Sequence, residues 1–285
     1  MGSQCSCSLP GQSQTGDVDE RSQVELDAVG WNSYTFPSQP GSSEATAGSG
    51  QRGYFAIDLA ELRTLPCDAS SIGSRPAHTF RSGSVYRGQW QGNSRHGQGE
   101  QVWPDGARFV GNWDHNVVHG LGCFEDKDGG MFVGQWRNNQ ACGFGMYRDT
   151  KGLTYRGGWE ADLRSGDGVE EWEGGDTYCG QFVKGRKEGH GVFVWADGTA
   201  YMGQWSADHM CGYGLYESSD DRTFRGMWKD SAFHGCGEHT WEDGRVYRGQ
   251  YEHDLRAGFG AFIQPDGRSQ QGFWQQGKLL TKEVM

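Results

Sequence analysis

From Tyr86 onward one pattern returns every 23 residues for eight unbroken cycles. Each cycle opens on a ring: Tyr86, Phe109, Phe132, Tyr155, Tyr178, Tyr201, Phe224 and Tyr247. Two residues later comes glycine, and two further on a second ring: Trp90, Trp113, Trp136, Trp159, Phe182, Trp205, Trp228 and Tyr251. Ring, glycine, ring at alternate positions is the period of a β-strand with one packed face. A Gly-x-Gly pair follows in every cycle, from Gly97/Gly99 to Gly258/Gly260. Glycine weakens a strand unless something packs where its side chain would be, so both glycines of each pair are expected on one face under the neighbouring rings. Cycles close on turn sequences such as Pro104-Asp105-Gly106, Asp197-Gly198 and Asp243-Gly244. Short connections leave only antiparallel neighbours. At about 4.8 Å between strands, two strands per cycle advance the sheet by roughly 10 Å, and eight cycles by roughly 80 Å. The expected fold is all-β, an elongated single-layer antiparallel meander of tandem hairpins whose stability depends on nearest neighbours.

Composition agrees. The chain has 285 residues with 48 glycines and 12 tryptophans, but only 34% are hydrophobic, too few for a thick aliphatic core. A formal net charge of −11 works against binding to nucleic acid or, by bulk charge, to an anionic membrane. No apolar run approaches the roughly 18 residues of a spanning helix, and the start lacks the basic and apolar blocks of a secretory signal. A place in the cytosol or on the cytosolic face of a membrane is expected. Cys123, Cys142, Cys179, Cys211 and Cys236 fall at several different places in the cycle, which suits small reduced residues better than a disulfide framework.

The first 79 residues are rich in Ser, Gln, Gly and Pro and are expected to be mostly disordered. Within them Phe55, Ile57, Leu59, Leu62 and Leu65 define a short amphipathic element, either docked on the first hairpin or only a transient helix. Met1-Gly2-Ser3-Gln4-Cys5-Ser6 fits the N-myristoylation pattern, with Gly2 the acceptor and Cys5 and Cys7 available for palmitoylation. One myristoyl chain holds a membrane only marginally, so the cysteines would supply the second signal. The array is expected over residues 80–275, with Phe80 to Val85 as a closing strand before the first cycle. Gly272 and Trp274 open a last half cycle, and 276–285 are expected to be a tail.

With Tyr86-Arg87-Gly88-Gln89-Trp90, Gly97-Gln98-Gly99 and Asp105-Gly106, the first cycle resembles the MORN repeat, and eight such cycles in fixed phase span about residues 80–275. Departures are few: Asp221 stands in place of a turn glycine, Lys151 precedes Gly152 where aspartate is usual, and Phe182 and Tyr251 replace tryptophan. The resemblance implies a twisted single-layer sheet with a grooved aromatic face, often dimeric, so a homodimer is among the expected states. Such arrays occur in junction proteins bridging membranes, in ciliary and flagellar components, in division scaffolds and in front of some lipid kinases and a methyltransferase. The fold does not choose among these roles. With the chain ending at Met285, no kinase or methyltransferase domain is expected here.

Candidate sites follow from the residues the repeat leaves over. His96, His119 and His234 share one place in the cycle with Cys142 and Cys211, but ligands at that place would stand roughly 10 Å apart on successive repeats, so no metal is expected. No Gly-x-Gly extends to a phosphate-binding motif, and the acid pairs Glu170-Glu171 and Asp220-Asp221 are expected to be solvated. Neither a catalytic residue nor a cofactor is expected. Lys184, Arg186 and Lys187 are the anion-binding candidates, and Arg87, Arg156, Arg225 and Arg248 repeat at one strand position. Trp90, Trp113, Trp136, Trp159, Trp205 and Trp228 hold a thin sheet together by default, and an apolar groove left among them is the candidate surface for a protein partner. The expected function is a non-catalytic scaffold that binds protein partners along the array and is tethered to a membrane by acyl chains. The alternatives are a structural part of a cilium, flagellum or cortical cytoskeleton, and a phosphoinositide-binding module.

Overall fold

Each 23-residue cycle folds as one hairpin because its apolar face alternates with period two on both sides of a two-residue turn. A computed structural model describes residues 51–65 and 72–283. The described residues fall into two compact units, one of residues 51–65, 72–173 and 182–185, the other of residues 174–181 and 186–283. In chain order the first unit opens with α1 (Gln51–Ala56), α2 (Leu59–Leu62), β1 (Ile72–Ser74) and β2 (His78–Thr79), followed by the first hairpin, β3 (Val85–Gln91) and β4 (Ser94–Val102). The next seven hairpins keep this plan of a seven-residue and a nine-residue strand, the described residues hold twenty strands, and within the units neighbouring strands pair antiparallel. The chain is therefore an all-β array of tandem hairpins.

From the second hairpin on, the turns inside the hairpins put two consecutive residues in the left-handed region, as at His115 (φ 48°) with Asn116 (φ 72°) and Asp230 (φ 50°) with Ser231 (φ 63°). That geometry matches the right-handed twist of the flanking strands. The second turn residue also holds the preceding hairpin: Asn139 Oδ1 accepts the Val118 N–H at 2.7 Å while its own N–H donates to the Val118 carbonyl at 3.1 Å. Asn116 and Asp162 do the same for Arg95 and Ala141, and Asp254 for Phe233. Between hairpins the Asp-Gly turns close on the expected glycine. The sixth connection carries Asp221 there at φ 60°, a conformation aspartate tolerates better than most residues.

The glycine pairs divide their work in a way the sequence did not suggest. The second glycine lies directly opposite the glycine of the first strand, as in Gly88 with Gly99, Gly111 with Gly122 and Gly134 with Gly145. The opening ring lies across this pair; a Cβ on Gly122 would come within 2.6 Å of Phe109 Cε2. The first glycine does not share that face. It sits at a β-bulge with positive φ, 67° at Gly97 and 63° at Gly143, where the register shifts. There the glutamine before the tryptophan closes the bulge: Gln89 Oε1 accepts the Gln98 N–H at 2.7 Å.

Rings carry the cohesion between hairpins. Phe109 meets Trp113 of its own hairpin at 5.3 Å between centroids and Trp136 of the next at 5.4 Å, both edge-on. In the second unit Tyr201 touches Trp205 and Trp228 at 5.3 and 5.1 Å. These are the favoured aromatic geometries. From the second hairpin on, indole N–H groups donate to the second glycine's carbonyl in the preceding hairpin, at 3.1 Å from Trp136 to Gly122 and from Trp205 to Gly191, and 3.2 Å from Trp159 to Gly145.

The ends differ from expectation. Phe80 to Ser84 is a turn, closed by the Gly83 N–H to the Phe80 carbonyl, Val85 already belongs to β3, and the strand before the turn is β2, paired with β3. β1 pairs with the other end of β3, so that edge is covered over most of its length. At the other terminus Lys278–Glu283, expected in a tail, pairs with Ser269–Gln275 as a ninth hairpin without a Gly-x-Gly pair. The expected disorder before residue 80 is likewise replaced by α1, α2, β1 and β2 where the chain is described; Gly2, Cys5 and Cys7 lie outside the described residues.

Candidate functional site

The ring-bearing face of the first hairpins is occupied by the chain itself. α1 delivers Phe55, fully buried, against five rings: Trp103, Phe109, Trp113, Phe124 and Trp136, with centroids 5.5 to 6.0 Å away. Tyr54 beside it touches Trp103 and Phe124, accepts the Trp103 indole N–H on its carbonyl at 3.1 Å, and donates its hydroxyl to Asp105. That bond to a carboxylate pushes the Tyr54 phenol up to about 12 and holds Asp105 below its ordinary value. α2 buries Leu62, whose carbonyl accepts from Asn93 at 2.8 Å. Of the two readings of residues 54–65, docking on the first hairpin is the one the structure bears out, and the second hairpin takes part.

A buried polar network fixes this segment. Asp58, between α1 and α2, is buried and accepts from Ser82, Ser84 and Gln101 at 2.7, 2.5 and 3.2 Å. Gln101 in turn accepts from Arg95 at 3.0 Å, and Arg95 donates to the Phe55 carbonyl at 3.4 Å with its guanidinium 4.3 Å above the Trp113 ring. Burial pulls Arg95 down to about 10, opposed by the charge of Asp58. Such a network costs desolvation, which the charge of Asp58 partly offsets at Arg95.

Arg95 belongs to a row that sequence reasoning missed. It lies opposite Trp90, and the residues at this place in successive cycles are Arg95, Val118, Ala141, Arg164, Lys187, Met210, Phe233 and Arg256. Arg164 is buried in an ion pair with Glu170, which is therefore not the solvated acid expected; Glu171 on the other face pairs with Arg156 at 3.0 Å. Arg256 lies 4.0 Å over the Trp274 ring, and burial lowers its pKa. His239, opposite Phe224 where most cycles carry a ring, stacks on Trp241 at 3.8 Å. Burial, with Arg222, Arg256 and Arg245 nearby, pulls its pKa down to about 3. The signal available was a polar residue breaking a row of rings: Gln101, Glu170 and His239 among Phe124, Tyr147, Tyr216 and Phe262.

Of the residues singled out from sequence, the six tryptophans are 1% to 3% exposed and form the packed layer, so their rings are not an open groove. Lys184 and Arg186 are exposed, whereas Lys187, next to Arg186 on one strand, points to the other face over the Tyr178 and Phe193 rings at 5.3 and 5.9 Å. Three cations converging on one anion are not found there. Arg87 and Arg248 pair across strands with Glu100 and Glu238, at 3.5 and 3.0 Å. Cys123, Cys142, Cys179 and Cys211 are half-buried and Cys236 is exposed; burial raises the thiol pKa of Cys123, Cys142 and Cys211. A histidine at a different place of the cycle comes close to the row: His96 meets His115 of the next hairpin's turn with ring centroids 5.0 Å apart. No helix among the described residues is long and apolar enough to cross a membrane.

Tandem hairpins whose rings lie on opposed glycines define a β-repeat protein. The chain belongs to the MORN-repeat family, whose model matches residues 86–108, 109–131, 132–154, 155–177, 178–200, 201–221, 224–244 and 247–267. No curated protein matches it in sequence. Among solved structures it is similar to a mutant TCP10 domain of Danio rerio CPAP, at 11% identity and TM-score 0.41 over 74% of this chain and 100% of that one. The G-box domain of the microcephaly protein CPAP scores 0.39 at 9% identity over 71% and 100% of the two chains. The TCP domain of Drosophila melanogaster SAS-4, solved with a proline-rich motif of Ana2, scores 0.34 at 8% identity over 53% and 83%. At TM-scores below 0.5 these likenesses settle nothing about this chain's role.

Proposed function

We propose that this protein is a non-catalytic scaffold whose ring-lined face takes short amphipathic segments of partner proteins, anchored by an aromatic side chain and selected by the buried polar residues between the rings. The observation that supports this is the seating of residues 54–64, where Phe55 enters a pocket of five rings and Asp58 meets Ser82, Ser84 and Gln101. A helix or turn laid into an apolar groove is a common mode of peptide recognition. Acyl chains on Gly2 and on Cys5 or Cys7 tether the scaffold to the cytosolic face of a membrane. Lys187, turned in among rings, does not favour the alternative of a phosphoinositide-binding module. Capture of cell proteins by the full-length chain and by a Phe55→Ala variant tests the face: partners held there are captured more strongly once the chain's own segment is loosened. Equal capture by both sinks the reading. Membrane fractionation of Gly2→Ala tests the tether separately, and undiminished membrane association rejects it.

A further inference from the structure

The register that locks each turn onto the preceding hairpin also brings three metal-ligating side chains together. His96 follows Arg95 in β4, so strand alternation turns it away from the ring-bearing face. Asp114 and His115 lead into the turn of the next hairpin, the same turn whose Asn116 caps Arg95. Asp114 Oδ1 lies 3.4 Å from His96 Nδ1 and 2.5 Å from His115 Nδ1. One donor atom from each of the three lies within 4.8 Å of the others, and among the described residues they are the group of this kind that comes so close. Beyond that contact with the Asp114 carboxylate, His96 Nδ1 is buried and makes no hydrogen bond.

We propose that His96, Asp114 and His115 form a binding site for a divalent transition metal, with Zn²⁺ the best match. Zinc takes imidazole nitrogen and carboxylate oxygen at about 2.0–2.2 Å, which sets tetrahedral ligand-to-ligand edges of about 3.3–3.6 Å. The separation of His96 from Asp114 already has that length. His115, with a side chain 63% exposed, is free to swing the remaining ångström or so without disturbing a packed neighbour. Two imidazoles select zinc, nickel or copper over magnesium and calcium, and the fourth position stays open to water. Bound metal joins the first hairpin to the turn of the second, on the side of the sheet away from the docked segment.

The array supplies its own comparisons. His119 occupies the place of His96 one cycle on, but the turn beside it is Asn138-Asn139, which offers no strong ligand. His234 and His253 repeat the places of His96 and His115, with ring centroids 5.7 Å apart and a buried His234 Nδ1 also without a hydrogen-bond partner, but the acid before His253 is Glu252 and the three do not close into a group. The repeats also give substitutions compatible with the fold. Asn138 holds the turn position of His115 at φ 52°, and Ser165 holds the place of His96 in the fourth cycle.

Zn²⁺ titration of the full-length protein against a chromophoric chelator tests the site, with Co²⁺ as a spectroscopic probe and the fold checked by circular dichroism. The expected result is one strongest equivalent whose affinity falls at least about tenfold in His96→Ser and in His115→Asn and is kept in His234→Ser, with a Co²⁺ spectrum free of thiolate charge-transfer bands. The proposal is overturned if wild-type protein and the His96→Ser/His115→Asn double variant bind alike, if His234→Ser is the variant that loses the strongest equivalent, or if the Co²⁺ spectrum places that equivalent on cysteine.

Discussion

Replacing Phe55 with alanine should release the docked segment while leaving the hairpins beneath it folded. Phe55 is completely buried and meets the edges of five rings between 5.5 and 6.0 Å, so its removal deletes a full aromatic payload and leaves a hole that Trp103, Phe109, Trp113, Phe124 and Trp136 cannot fill. Truncations of this kind cost about 3–5 kcal/mol. Because Trp113 and Trp136 are also held by glycine carbonyls and Phe109 by both of those rings, most of the loss falls on the docking equilibrium. At about 1.4 kcal/mol per factor of ten, the undocked population rises by roughly two to three and a half orders of magnitude.

Hydrogen exchange read by mass spectrometry measures this directly. Peptides covering residues 51–65 should lose protection by that factor, and the indole N–H of Trp103, which donates to the Tyr54 carbonyl, should exchange faster. Peptides from residues 109–171 should keep wild-type protection. Unchanged exchange over residues 51–65 would refute the energetic weight given to Phe55. Equal loss over residues 109–171 would refute the reasoning in another way, since Phe55 would then be part of the array's core and not a ligand seated upon it.

Three further perturbations probe the array. Gly122→Ala puts a Cβ 2.6 Å from Phe109 Cε2 and 3.3 Å from Trp136 Nε1, and chemical denaturation should show a loss of about 1–3 kcal/mol or more, whereas Gly106→Ala meets nothing within 4 Å and costs only its positive φ. Asn139→Ala removes the acceptor of the Val118 N–H and a residue suited to φ 62°, so thermal unfolding should show about 1–2 kcal/mol of destabilisation, largely restored by Asn139→Asp after the pattern of Asp162. His239 titrates near 6.5 when unfolded but at about 3 when folded, so the unfolded state binds more protons between those values and stability falls as pH drops from 6.5. Between pH 6.5 and 5 that amounts to about 2 kcal/mol, and denaturation midpoints of His239→Phe should show a correspondingly shallower pH slope.

Strands, turns and the ring layer were legible in the sequence because each depends on spacing along one strand. That glycine lies beneath the rings was legible for the same reason, whereas the opposition of Gly88 to Gly99 depends on register between strands. The bulge at Gly97 and Gly143 was not, since it places three residues against one and breaks the very alternation used to assign a face. Buried charges were invisible for a related cause. Arg95 and Arg164 look solvated in a linear pattern, and only the register that sets them opposite Trp90 and Trp159 turns them inward. The meeting of His96 with His115 escaped because histidines were compared at one place in successive cycles. Contact is made between different places, a strand of one hairpin and the turn of the next.

On the proposed scaffold function, that distinction also locates selectivity within the array. The opening ring, the two opposed glycines and the second ring return in every cycle because one packing unit requires all of them, so they cannot tell one repeat's surface from another's. What varies on the same face is the residue opposite each ring. In the first hairpin these are Arg95 and Gln101, which form a polar chain to Asp58; in the second they are Val118 and Phe124, and Phe124 receives Phe55 and Tyr54. The docked segment thus presents its carboxylate where the array is polar and its rings where the array is apolar. Arg164 with Glu170, and His239 on Trp241, give later hairpins other patterns on an unchanged frame. A segment matched to one pair of repeats would bury an unpaired charge or lose its ring pocket on another, and that mismatch costs more than any single contact gains. A repeat that looks nearly uniform in sequence can therefore discriminate among the segments laid upon it.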